Sequence, residues 1–179
     1  MTRDAPGRTA LIREIALGST LRGEFKLRSG ATSPTYFDKY LFEADPRILR
    51  PLAKLMTSLL PDGTEILAGL ELGGIPIATA MSLHTGRPVV FVRKQAKTYG
   101  TGKVIEGPDV TGKCVVVIED VVSTGGAILE SVAKLRDAGA VVQTVVCAIW
   151  RGVDLSPLHG ADLDLRWAME RSELEAAME

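Results

Sequence analysis

The 179-residue chain predicts an α/β fold, a parallel sheet covered on both faces by helices, and three observations carry that expectation. Residues 115–118 are four β-branched apolar residues running into two acids, then a hydroxyl-and-glycine turn, then an amphipathic stretch. Residues 140–149 are almost continuously apolar, as a strand buried on both faces must be. Between residues 65 and 149, strand-like runs alternate with helical spacing, the period that right-handed parallel crossovers require.

From the N-terminus, Leu11, Ile12, Ile15 and Ala16 have helical apolar spacing, with Gly18 as the stop. Residues 24–27 alternate, residues 28–33 are a polar turn, and residues 34–38 read as a second short strand, so a hairpin is expected there. Asp45 followed by Pro46 is a cap with proline at the first helical position, although Pro51 argues for the regular helix starting nearer residue 51. A strand over 65–69, a helix from Gly74 to about Gly86 and a strand over 88–92 follow. The next strand, 114–118, ends at the acids Glu119 and Asp120. The helix after Gly126 has Ile128, Val132 and Leu135 on one face, Lys134 and Arg136 near its end, and Gly139 as its stop. The last strand, over 162–168, alternates and should be half exposed, and residues past Arg171 suffice only for a terminal helix. The span from Val92 to Cys114 has no convincing element and is read as a long glycine-bearing loop, the type that serves as a lid or binding segment.

Composition narrows the function. With 46% apolar residues the chain can bury one good core, and a net charge of -1 gives no bulk attraction for nucleic acid or an acidic membrane. Positive charge is local: Arg87, Arg93, Lys94, Lys97 and Lys103 fall in a stretch with no acid. Cys114 and Cys147 read as small buried hydrophobes in a reducing compartment, without zinc spacing. No stretch approaches a membrane span or a signal-peptide core, so a soluble cytoplasmic protein is expected.

The chemistry concentrates at the end of the 114–118 strand. Open parallel sheets bind ligands at the carboxyl ends of their strands. Glu119 and Asp120 there can accept hydrogen bonds from sugar hydroxyls, or meet a magnesium ion already carried by phosphate oxygens. The following Val121, Val122, Ser123, Thr124, Gly125, Gly126 and Ala127 offer hydroxyls and backbone N–H groups to a terminal phosphate. Thr124 would otherwise be a plain helix cap, which leaves the paired acids unexplained. No lysine follows the glycines and no spaced-glycine fingerprint exists, which removes support for ATP hydrolysis and nicotinamide redox chemistry. Glu71, Leu72, Gly73 and Gly74 end the first core strand in a second turn suited to an anion such as pyrophosphate.

Residues 115–127 resemble the phosphoribosyl-pyrophosphate (PRPP) motif of type I phosphoribosyltransferases. Residues 23–30, 33–38, 74–79 and 93–100 are similar, in the same order, to landmarks of the orotate branch of that family. The resemblance implies a Rossmann-like core, about residues 45–152, and a small hood from residues 1–44 and 153–179, within one domain spanning 1–179. It implies magnesium-dependent transfer of ribose 5-phosphate from PRPP to orotate in pyrimidine biosynthesis. Glu119 and Asp120 would contact the ribose, the turn from Val121 to Ala127 the 5-phosphate, and Glu71, Leu72 and Gly73 the pyrophosphate.

The same resemblance makes residues 93–110 a flexible catalytic loop carrying Arg93, Lys94, Lys97 and Tyr99, shared across a homodimer interface, with Asp120 also catalytic. Arg28, Tyr36, Phe37, Thr124 and Arg151 would hold orotate. Three positions depart from the common pattern: Arg28 and Gly73 stand where lysine is frequent, and Tyr99 where histidine is frequent. The competing readings are a phosphoribosyltransferase for a purine base and a PRPP-sensing nucleic-acid-binding regulator. A purine would prefer apolar stacking to paired arginines, and a regulator would need a second basic face.

Overall fold

The computed structural model describes residues 6–27, 30–96 and 102–179. The order of elements is α1 (Pro6–Ser19), β1 (Thr20–Lys26), β2 (Thr32–Phe37), α2 (Lys39–Ala44), α3 (Pro46–Thr57), β3 (Ile66–Leu70), α4 (Gly74–Thr85) and β4 (Val89–Val92). It continues with β5 (Ile105–Glu106), β6 (Cys114–Val122), α5 (Gly126–Asp137), β7 (Val141–Trp150), α6 (Ser156–His159), β8 (Asp164–Glu170) and α7 (Arg171–Ala176).

Six strands form the main sheet in the order β5-β4-β3-β6-β7-β8, parallel except for the antiparallel edge pair β4–β5. Successive strand residues point to opposite faces, so β6 sends Val116 and Ile118 into one core and Val115 and Val117 into the other. The first core also takes Ile15, Leu52, Met56, Ile77 and Met81; the second takes Ile128, Val132, Leu135 and Leu158. The α/β sandwich expected from the apolar pattern is therefore the structure. Chain order runs from β3 outward to β4, then returns to β6 on the other flank, which opens a crevice beyond the carboxyl ends of β3 and β6.

Two glycines let α4 lie close over that crevice. A Cβ on Gly69 would come within 2.9 Å of the Gly74 carbonyl, and one on Gly74 within 2.3 Å of the Ile118 carbonyl. The hairpin β1–β2 forms a separate antiparallel sheet. The chain ends meet: the Arg8 guanidinium on α1 donates to the Ala168 carbonyl on β8 and to the Glu173 carboxylate on α7.

Several local expectations need correction. Gly18 lies inside α1, which continues to Ser19. The helix capped by Asp45 is unbroken from Pro46, because Pro51 and Arg47, whose carbonyl loses its partner, are both on the solvent side. The Val92–Cys114 span contains β5, and Val110 within it is buried. Strand β6 does not stop at Ile118 but pairs with β7 as far as Val122, so both acids lie within the strand. Cys114 is exposed where β6 begins, whereas Cys147 is buried. Among the described residues no helix is long and apolar enough to cross a membrane.

Candidate active site

The crevice holds a cavity of about 250 Å³ lined by Lys39, Glu71, Lys94, Glu119, Asp120 and the turn from Val121 to Ala127. Gly125 caps α5 with φ +78°, a conformation a β-carbon opposes, and Thr124 makes no side-chain cap. The hydroxyl-and-glycine turn is thus presented to the cavity at the start of a 12-residue helix, whose unpaired N–H groups suit an anion.

Inside β6 the adjacent acids alternate. Asp120 is 1% exposed and Glu119 is partly buried. Asp120 Oδ1 accepts from the Val121 N–H, and its Oδ2 lies 2.5 Å from Lys39 Nζ. Burial opposes the charge on Asp120, but hydrogen bonds from Glu119, Glu43 and Lys39 outweigh it and hold this carboxyl below its ordinary value. The acids beside it go the other way: burial first, then Asp120, pushes both Glu43 and Glu119 up to about 9. Lys39 is raised because the Asp120 contact outweighs its own desolvation.

One pH prediction follows. Glu43 keeps its proton in the folded chain to about pH 9, while an unfolded glutamate loses it near 4.5. The folded state binds more protons across that window, so its contribution to stability is full below about 4.5 and falls as pH rises towards about 9. Glu43→Gln keeps a donor towards Asp120 without an ionisable group. Its melting temperature should therefore fall less between pH 5 and pH 8 than that of the wild type, and equal slopes by thermal denaturation would refute this protonation state.

The turn at residues 71–74 is adjacent. The Glu71–Leu72 peptide is cis, and Glu71 accepts a 2.7 Å hydrogen bond from the Lys94 N–H. Gly73 is buried against the acids: a Cβ there would fall 1.6 Å from Asp120 Oδ2. Lys134 on α5 donates to the carbonyls of Arg93 and Lys94, which ties the start of the basic loop to the phosphate turn's helix. Leu72 and Arg93 line a neighbouring cavity with Phe91 and Glu106 instead.

A second, larger cavity of about 350 Å³ lies between the hairpin, the end of β7 and α7. Tyr36, Phe37 and Arg151 line it, with Thr20, Arg171 and Leu174. The Arg151 guanidinium sits 5.9 Å from the centre of the Phe37 ring. Loss of solvent, then the charge of Arg171, lowers its hold on its proton, which favours an anionic visitor between the two arginines. Thr124 lines the phosphate cavity rather than this one.

Of the other residues expected at the site, Arg28, Lys97 and Tyr99 lie outside the described residues. Sequence reasoning missed Lys39, Glu43 and Arg171. The available signal for the first two was Asp38, read as a strand end, whose side chain accepts from the Tyr40 N–H and caps α2. Arg171 carried none, since the path of a short terminal helix depends on tertiary packing.

Comparison with known proteins agrees with this geometry. The family model described as phosphoribosyl transferase domain matches residues 42–162. An orotate phosphoribosyltransferase of Nocardioides sp. is 52% identical, covering 100% of this chain and 98% of that protein. One from Methanocella arvoryzae is 44% identical, over 75% of this chain and 77% of the relative. The crystal structure of Mycobacterium tuberculosis orotate phosphoribosyltransferase in complex with PRPP superimposes with a TM-score of 0.81 at 30% identity, covering 95% of this chain and 99% of that one. A chain with two glycine-bearing turns facing one crevice, and this degree of likeness over its whole length, belongs to the phosphoribosyl transferase domain family and, within it, to the orotate phosphoribosyltransferases.

Proposed function

We propose that the chain transfers the 5-phosphoribosyl group from PRPP to N1 of orotate, releasing pyrophosphate and forming orotidine 5′-monophosphate for pyrimidine biosynthesis. The observation that carries this reading is the pair of cavities: one lined by paired acids and a phosphate turn, the other by two arginines and an aromatic pair. The 5-phosphate docks on the N–H groups from Thr124 to Ala127, and the ribose hydroxyls hydrogen-bond to Glu119 and Asp120. Pyrophosphate lies against the turn of Glu71, Leu72 and Gly73 and is met by Lys94 and the loop bases Arg93 and Lys97.

The carboxylates of Glu71 and Asp120 on the wall of this cavity would repel a bare polyanion, which fits a substrate that arrives as its magnesium chelate. Magnesium bound with PRPP beside Glu71 and Asp120 would supply counter-charge to the leaving diphosphate. As the C1–O bond breaks, its electron pair leaves with pyrophosphate and the sugar gains oxocarbenium character. The anionic N1 of orotate supplies the pair for the new bond, so no strong protein base is needed. Lysine and arginine charges stabilise the departing oxygens, and Tyr99 serves as a hydrogen-bond donor. Loop closure over residues 93–110 keeps water from hydrolysing PRPP. The hairpin and α7 act as the hood, and two copies pair so that some loop bases serve the partner's site.

The direct test is loss of orotate absorbance in the presence of PRPP and magnesium, with adenine, hypoxanthine and uracil as parallel acceptors. Orotate alone should react; a purine consumed faster would refute the assignment. Arg151→Ala should raise the KM for orotate by ~10- to 100-fold, the scale of one charge-assisted hydrogen bond, and leave the KM for PRPP nearly unchanged. An unaltered orotate KM would place the acceptor elsewhere.

A further inference from the structure

Among the described residues, Lys39 is the charged side chain lining the phosphate cavity to which the mechanism assigns no role. It begins α2, outside every motif that the sequence displays, and its side chain is 35% exposed. It lines the cavity with Glu71, Lys94 and Thr124, while its Nζ lies 2.5 Å from Asp120 Oδ2. Behind Asp120 lies Glu43, 4% exposed, whose carboxyl hydrogen-bonds to that of Asp120.

Both carboxyls press against the backbone of the 71–73 turn. A Cβ on Gly73 would lie 2.9 Å from Glu43 Oε1 as well as overlapping Asp120 Oδ2. No side chain at residue 73 has room to emerge there, so this turn cannot supply its own cation. The Lys39 ammonium stands at that place instead, anchored by the same Asp120 oxygen. An ammonium has three donors. Asp120 takes one, and the exposed part of the group faces the cavity.

The charge balance points the same way. The carboxylates of Glu71 and Asp120 line the space that must receive a polyanion. A cation fixed on that wall lowers the cost of admitting phosphate.

On the reading that PRPP is the substrate, we propose that Lys39 is a further substrate-binding residue: its ammonium, held by Asp120 beside the bare turn at Gly73, donates to the diphosphate of bound PRPP.

The test compares wild type, Lys39→Met and Lys39→Arg in steady-state turnover and in inhibition by pyrophosphate and by ribose 5-phosphate. Lys39→Met should raise the KM for PRPP and weaken pyrophosphate inhibition by ~10-fold or more, the scale of a lost charged hydrogen bond. The KM for orotate and inhibition by ribose 5-phosphate should change by less than ~3-fold, and Lys39→Arg should recover most of the loss.

Equal weakening of ribose 5-phosphate and pyrophosphate would mean that Lys39 acts only by orienting Asp120, and would overturn the proposal. So would a PRPP KM within ~2-fold of an active wild type. A wild type inert towards PRPP and orotate would instead remove the functional reading, and this inference with it. If Lys39→Met does not fold, Lys39→Met/Asp120→Asn compared with Asp120→Asn in pyrophosphate calorimetry measures the same contact without a buried unpaired carboxylate. Equal affinities there would likewise refute it.

Discussion

Asp120→Asn is expected to lower kcat/KM by ~1000-fold, at the upper end of what one electrostatic group in an active site contributes. The substitution preserves shape, and an amide oxygen can still accept from the Val121 N–H, as Oδ1 does now. What it removes is the negative charge at Oδ2, which lies 2.5 Å from the Lys39 ammonium. An amide NH2 in that position faces a cation and cannot accept from a ribose hydroxyl. Two losses coincide: the sugar loses an acceptor, and Lys39 loses its anchor. Steady-state assays with PRPP varied would report the effect, while circular dichroism should show an unchanged fold. Activity within ~10-fold of wild type would take Asp120 out of the mechanism.

Gly74→Ala is expected to be strongly damaging for a single added methyl group. Its Cβ would lie 2.3 Å from the Ile118 carbonyl oxygen and 3.2 Å from the carbonyl carbon, both backbone atoms of β6. A side chain could rotate away, but a strand paired on both flanks cannot yield so easily, so α4 must lift from the sheet. Overpacking of this kind costs about 1–3 kcal/mol and occasionally more, and here it also separates the turn at residues 71–74 from the acids. A fall in urea midpoint together with a raised KM for PRPP is the expected pattern. Gly126→Ala is the contrast, because nothing lies within 4 Å of the Cβ it would add. That variant should keep its stability, and any effect should be confined to PRPP. Equal stability of the two variants would refute the close-approach argument.

The hairpin, Asp45 cap, α4, α5 and buried β7 were all legible in the sequence, since each rests on local spacing, capping or period. Errors came where a local rule met a tertiary setting. Pro51 fits within α3 because it faces solvent, and β5 forms because two residues can pair with the edge of β4. The acids lie inside β6 because pairing with β7 carries the strand to Val122.

The resemblance of ordered segments between residues 23 and 127 pointed to the orotate phosphoribosyltransferase family, and the order of residue types alone determined the covered parallel sheet and the paired acids before a hydroxyl-and-glycine turn. Those features repeat with short periods or sit within a dozen consecutive positions, where chemistry and spacing can be read directly. Only the tertiary structure decided that Asp120 is enclosed by Lys39 and Glu43, and that Arg171 joins Arg151 around a second cavity. Those groups come from elements far apart in the chain, and their charges acquire meaning only when folding removes the water between them.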